Sequence, residues 1–377
     1  MEVYLDNSAT TAPCSEAVEA TQSTLRNCWG NPSSLYKRGL EAEKVLESSR
    51  KLVAKQLSCK SDEIYFTSGG TESNNLAIFG TVNALKRRGH RIVSTSIEHP
   101  SVEECLKYLE GLGFEVIRLT VDSEGRFSQK DLMAAVNSKT ILVSLMLVNN
   151  EVGTIQPVEF ARRAVNATGA PAYIHCDAVQ AFGKTRLQVS DLDVDLISIS
   201  SHKIHGPKGV GALYIRKGIR IEPRAFGGTQ EKRIRPGTEP MPAIAGFGAA
   251  VKALPNPATE IHKISRLRDY LCYKLGLMDG ITINSPKDSL PYITNISVNG
   301  INSEPMLNFL SDRGIYVSAG SACSKGKKSS VLKAMGLSDE RISSALRISF
   351  SRMTTFEDID VLLDGLSAVQ SNIRPRR

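Results

Sequence analysis

The sequence predicts an α/β protein, with a mainly parallel seven-stranded sheet layered between helices and a smaller α+β region beside it. Two observations predict this. Seven short apolar runs alternate with helical stretches along most of the 377 residues, and the pattern changes after Ala253-Leu254-Pro255-Asn256-Pro257. Strands that alternate with helices favour a doubly wound layer.

Taken in order, residues 33–57 read as a helix with Ala42, Val45, Leu46, Ser49, Val53 and Leu57 on one face. The apolar runs are 64–66, 92–95, 116–119, 141–147, 172–176, 196–199 and 212–215. Several are nearly continuous in Val, Ile and Leu, as expected of strands covered on both faces. The last two are close enough to pair as antiparallel neighbours. Beyond the break, 261–277 reads as a helix, and 293–298, 315–317 and 346–350 read as extended. A last helix starts near Thr354-Thr355, where Glu357 and Asp358 suit the positive end of the helix dipole. The division expected is a large domain over 16–256 and a small one built from 1–15 and 257–377.

Composition narrows the function classes. Hydrophobic residues make up 41% and charged residues 23%, which is globular. No apolar run approaches the roughly 20 residues of a membrane span. Met1-Glu2-Val3-Tyr4-Leu5-Asp6 has neither a basic nor an apolar leader region, so a cytoplasmic location without membrane contact is expected. The seven cysteines (14, 28, 59, 105, 176, 272 and 323) are odd in number and never spaced C-x-x-C. Free thiols are therefore expected, with neither a disulfide framework nor a metal site. The net charge of +8 is spread along the chain without an aromatic-interleaved stripe, so nucleic acid is not the expected partner.

Three segments carry chemistry. Thr67-Ser68-Gly69-Gly70-Thr71-Glu72-Ser73-Asn74 lies between a strand and a helix, where backbone N–H groups can receive an anion. A plain capped turn is the alternative there. Asp177 sits where a buried strand would end, the edge at which open α/β sheets bind ligands. It could pair with a protonated ring nitrogen or cap a helix. Lys203 follows an apolar strand, among hydroxyls and before Gly206-Pro207-Lys208-Gly209. Partial desolvation there would lower its amine pKa, as a Schiff-base lysine requires. A phosphate cradle, a pyridinium partner and an amine at the strand ends of one sheet describe a pyridoxal-phosphate site.

Ten motifs in order make the likeness specific. They include 4–11 (Tyr-Leu-Asp-Asn-Ser-Ala-Thr-Thr), Gly30-Asn31-Pro32-Ser33, the 67–75 turn, Glu98-His99-Pro100-Ser101 and Asn149-Asn150-Glu151-Val152-Gly153. Further along stand Asp177-Ala178-Val179-Gln180, Ser200-Ser201-His202-Lys203, Arg235-Pro236-Gly237-Thr238, Ser318-Ala319-Gly320-Ser321-Ala322-Cys323 and Ala345-Leu346-Arg347-Ile348-Ser349. Over nearly its whole length the chain resembles the cysteine desulfurases of the class V aminotransferase group, which are fold-type-I pyridoxal-phosphate enzymes. The Ser-Ala-Gly-Ser-Ala-Cys run resembles the NifS/IscS-like branch.

The resemblance implies roles. Lys203 would anchor the cofactor, Asp177 would keep its ring nitrogen protonated, and His99 would lie over the ring, although read alone it is equally a turn histidine. Gln180 would bond the phenolic oxygen. Gly70, Thr71, Ser200 and His202 would hold the phosphate with Thr238 of a second subunit, which implies a homodimer. Asn150 and Arg347 would bind the carboxylate of L-cysteine; Arg347 has the planar fork for this, though an arginine in an apolar strand can instead form a structural ion pair. Cys323 would take the substrate's sulfur as a persulfide and release L-alanine. Its run of small and polar residues reads as a mobile loop, and Lys325, Lys327 and Lys328 would favour the thiolate. Acceptors implied are sulfur-receiving proteins such as an iron–sulfur scaffold or a tRNA-thiolating enzyme, or thiamine synthesis. Two features depart from the pattern: a short basic stretch after Cys323, and Arg-Pro-Gly-Thr in place of the commoner Arg-Ser-Gly-Thr. Rival readings are a selenocysteine lyase or transaminase of the same fold, and a non-catalytic partner-binding relative.

Overall fold

The computed structural model describes residues 2–320 and 328–373. Twelve strands are present among them: β1 (Val3–Tyr4), β2 (Ile64–Thr67), β3 (Arg91–Thr95), β4 (Glu115–Leu119), β5 (Thr140–Met146), β6 (Tyr173–Asp177), β7 (Leu196–Ser200), β8 (Gly211–Ile215), β9 (Ile281–Ile283), β10 (Ile293–Val298), β11 (Ile315–Tyr316) and β12 (Ala345–Ser349). Seven of them form the main sheet, in the order β2-β8-β7-β6-β5-β3-β4. β4, β3, β5, β6 and β7 run parallel, and β8 is antiparallel to both β7 and β2. All seven apolar runs are strands of this one sheet, including the expected antiparallel β7–β8 pair. All seven residues of β5 are buried, as an unbroken apolar run requires when both faces are covered.

Helices α1 (Ser15–Asn27), α2 (Lys37–Leu57), α3 (Gly70–Leu85) and α4 (Pro100–Gly111) belong to the first part of the chain. The expected helix over 33–57 starts four residues late. Asn31 explains this: its Oδ1 accepts from Ser33 N and its carbonyl from Ser34 N, so a turn claims that backbone first. The helix expected over 261–277 spans Pro257–Leu275 instead. Asn256 Oδ1 accepts from Ala258 N and Pro257 occupies the first helical position. The Pro-Asn-Pro break is therefore a helix start, because proline at that position forfeits no hydrogen bond.

A three-stranded antiparallel sheet, β12-β10-β9, forms beside the main one. β1 pairs in parallel with β11, which joins the chain's beginning to its last third. The closing helix, Phe356–Asn372, starts with a reciprocal cap in which Thr355 Oγ1 accepts from Asp358 N and Asp358 Oδ2 from Thr355 N. No helix among the described residues is long and apolar enough to cross a membrane.

The topology positions the site. β3, β5, β6 and β7 are parallel, so their carboxyl ends share one edge of the sheet. Asp177 is the last residue of β6, and His99, Asn150 and Lys203 follow the ends of β3, β5 and β7 within a few residues. β2, antiparallel to β8, delivers Gly69 and Gly70 to the same edge.

Candidate active site

A cavity of about 220 Å³ opens at this edge. Its walls include Gly70, Thr71, His99, Asn150, Asp177, Gln180, Ser200, His202, Lys203 and Arg347. These are ten of the twelve residues named from the sequence. The eleventh, Thr238, is exposed and lies outside this cavity. Cys323 lies outside the described residues, as do Lys325 and Lys327. Lys328 is paired with Asp339 at 2.9 Å, which offsets the field expected of it toward Cys323.

The anion end is built by backbone. Gly69 has φ +151°, and α3 begins without a capping side chain, so its first N–H groups face the cavity edge unclaimed by any cap. Side chains are excluded there: a Cβ on Gly70 would lie 2.7 Å from Val179 Cγ2. Glu72 is turned away, accepting from Ser68 N at 2.6 Å and from Arg235 Nε at 3.1 Å. His202 shares a hydrogen bond of 3.2 Å with Thr10 Oγ1. Burial, with Lys203, Lys208 and Lys184 nearby, brings its pKa down to about 4, so it meets an anion as a neutral ring.

A polar chain runs across the opposite wall. Asp177 Oδ2 accepts from Asn74 Nδ2 at 2.7 Å, and Oδ1 accepts from Val179 N at 3.0 Å. Asn74 Nδ2 also reaches Ser101 Oγ at 2.8 Å, and that oxygen lies 2.8 Å from His99 Nδ1. Ser101 N donates to the same ring nitrogen at 3.1 Å, so Nδ1 is an acceptor and the neutral ring carries its proton on Nε2. Burial lowers the His99 pKa; Asp177 opposes this, while Lys203 and Arg347 add to it. His99 also caps α4, so the turn-histidine reading and the cavity-wall reading both hold.

Lys203 Nζ donates to the carbonyl oxygens of Ser8 and Ala9, the latter at 2.7 Å. Gln180 Nε2 donates to the Ser8 carbonyl at 3.0 Å. Arg347 is 1% exposed, with Nη2 on Asp6 Oδ1 at 2.7 Å and Nη1 on the Asn150 carbonyl at 3.0 Å. The structural ion pair thus exists, and the guanidinium still lines the cavity. Sequence reasoning assigned no role to Asp6, Ser8, Ala9, Asn74 or Ser101. Each stood inside a motif already noted, but only the fold shows that 6–9 reach the strand ends from the far end of the chain.

Ser8 Oγ, Asn74 Oδ1, Ser200 Oγ and Arg347 Nε are buried with no hydrogen-bond partner. Unsatisfied buried polar atoms are rare in folded proteins, and four of the thirteen among the described residues belong to residues that line this one cavity. Together with the side-chain-free turn at Gly69-Gly70, the donor set fits a flat, anionic group with a phosphate at one end. The residues therefore fit pyridoxal phosphate.

Comparisons with known proteins agree. The class-V aminotransferase family model matches residues 3–362. Cysteine desulfurase IscS of Dictyoglomus turgidum is 42% identical over 378 residues, covering 99% of this chain and 95% of that protein. A NifS/IcsS protein homolog of Lactobacillus delbrueckii is 44% identical over 375 residues, 97% of each chain. A solved NifS-like protein superposes with a TM-score of 0.93 at 39% identity, over 98% of this chain and 100% of that one. SspA in complex with cysteine matches at 0.83 and 31%, over 94% and 100%. The chain belongs to the class-V aminotransferase family, in its cysteine desulfurase group of the IscS and NifS kind.

Proposed function

We propose that this chain, as a homodimer carrying pyridoxal phosphate, converts L-cysteine to L-alanine and leaves the sulfur on Cys323 as a persulfide. One observation carries the reading. Lys203, Asp177, His99, Gln180 and Arg347 come from distant parts of the sequence and line a single cavity. Cysteine as substrate is supported by the cysteine-bound relative SspA.

The phosphate would be held by the N–H groups that open α3 at Gly70 and Thr71, by Ser200 and His202, and by Thr238 of the partner subunit. When bound, the cofactor supplies an electron sink that weakens bonds at the substrate's carbons. The chain's own residues do the rest. Asp177 holds a proton at the ring nitrogen, and Gln180 Nε2 is a donor for the phenolic oxygen. His99, neutral, presents Nε2–H. Arg347 and Asn150 orient the substrate carboxylate. Lys203 Nζ anchors the cofactor and moves the proton at the substrate's Cα. Cys323, as thiolate, forms a bond to the substrate's Sγ as the carbon–sulfur bond breaks; the carbon gains a proton and leaves as alanine's methyl group.

Addition of pyridoxal phosphate should give a yellow protein that releases alanine from L-cysteine, and Cys323→Ala should abolish that release. A protein that stays colourless, or a Cys323→Ala variant that releases alanine at the full rate, would defeat the reading. The acceptor is proposed to be an iron–sulfur scaffold or a tRNA-thiolating enzyme. Transfer of labelled persulfide sulfur to one such protein and not to unrelated thiol proteins would support this; transfer to neither would remove it.

A further inference from the structure

Lys184 is a buried cation to which the reaction above gives no task. It is 5% exposed, and its Nζ donates to Gln180 Oε1 at 2.8 Å. The ring of Tyr292 lies 5.9 Å from the same nitrogen. The charged and titratable groups around it are Lys203, Arg347, His202, His205, Glu260, Arg352 and Tyr292. Burial first, then Lys203 and Arg347, brings its pKa down to about 7. A buried amine beside two further cations is costly, and among the described residues no carboxylate offsets that cost by pairing with it. Such placement marks a functional constraint more often than a stabilising one.

The constraint is visible in the amide it touches. A glutamine side chain can face a site with either its oxygen or its nitrogen. When protonated, Lys184 has only donors, so it is matched only by Oε1. The Ser8 carbonyl has only acceptors, so it is matched only by Nε2, at 3.0 Å. Flipping the amide would set N–H against ammonium and oxygen against oxygen. With Lys184 protonated, Gln180 is therefore locked from both ends with its donor on the cavity side.

We propose that Lys184 is a positioning residue for the cofactor: through Gln180 Oε1 it fixes the amide so that Nε2 donates to the phenolic oxygen. This rests on the pyridoxal-phosphate reading. A donor at that oxygen draws electron density from the cofactor and competes for the oxygen with the proton on the Lys203 nitrogen. Without the lock, that proton is held more tightly, and the pH midpoint of the visible absorption band rises.

The test uses the full chain loaded with pyridoxal phosphate. Lys184→Met should weaken cofactor binding by about tenfold, one lost hydrogen bond's worth, and raise the band's midpoint by roughly half a unit or more. Lys184→Gln, which keeps a donor, should stay within about threefold of wild type, inside the weaker range of a retained hydrogen bond. In a Gln180→Ala background, Lys184→Met should change neither quantity, because the lysine acts through that amide. An unshifted midpoint in Lys184→Met, or losses that add in the double variant, overturns the proposal. If Lys184→Met alone fails to fold, Lys184→Gln decides by its midpoint: wild-type supports, shifted overturns. Failure of both variants to fold makes the lysine structural and also overturns it. A wild-type protein that takes up no cofactor is a separate result, which removes the underlying reading itself.

Discussion

At the scale of single residues, Arg347 shows how one side chain can serve two demands. Its Nη2 satisfies Asp6 and its Nη1 the Asn150 carbonyl, while Nε is buried and unpartnered. A lysine there would keep the charge but could not hold Asp6 and fork a substrate carboxylate together. Arg347→Lys is expected to raise KM for L-cysteine about 30-fold, roughly 2 kcal/mol of a charged hydrogen bond, with a smaller change in kcat. Unchanged KM with a lowered melting temperature would leave only the ion pair with Asp6. The residue types of the site were legible in the sequence because each has a distinctive chemistry beside a strand end. Their partners were not. Ser8 and Ala9 offer carbonyl oxygens, which any residue has, and nothing local marks 6–9 as facing Lys203, which stands more than 190 residues later in the sequence.

At the scale of elements, the seven strands of the main sheet were legible because buried parallel strands are nearly all apolar. The start of the last helix was legible from Thr355 and its acidic first turn, but two other starts were not, since the turn at Asn31 and the proline at 257 act through backbone geometry rather than periodicity. The same burial hides a polar row inside the sheet. His175 on β6 lies 2.9 Å from Ser144 Oγ on β5 and 2.9 Å from Ser198 Oγ on β7, tying three strands together. Burial draws its pKa down to about 4, against about 6.5 for a free imidazole. As pH falls the unfolded chain takes the proton first, so this stability is whole above about pH 6.5 and is lost toward pH 4. Over that window the loss is roughly 3 kcal/mol. Glu98 works in the opposite sense: burial raises its pKa to about 8, so its contribution is greatest at low pH and fades as pH rises toward 8. The two are separated by comparing proteins rather than pH values. Between pH 6.5 and 4, urea unfolding of His175→Gln is expected to depend less steeply on pH than wild type, by up to about 1.4 kcal/mol per unit. Parallel pH profiles would show that His175 does not carry the acid sensitivity.

At the scale of the whole molecule, the cavity of one chain lacks one member of its proposed phosphate cradle. Arg235 is tied to Glu72 beside the start of α3, yet Thr238, three residues on, is exposed and outside the cavity. Large apolar side chains are also exposed close to this segment and to the Gly30-Asn31-Pro32-Ser33 motif: Trp29, Leu35, Tyr36 and Phe226, with Leu35 at 92% and Phe226 at 89%. A two-fold dimer would cover such surface and bring each Thr238 to the other chain's site, because an isologous contact repeats every exchange twice. Mixed dimers test this directly. In a hybrid of one Lys203→Ala chain and one Thr238→Val chain, the site of the second chain keeps its own Lys203 and receives an intact Thr238. The other site carries both defects. At a pyridoxal-phosphate concentration too low for Thr238→Val dimers, and with Lys203→Ala dimers inactive throughout, the hybrid is expected to regain alanine release from its one whole site. If each chain instead used its own Thr238, every site of the hybrid would carry one defect, and mixing would restore nothing.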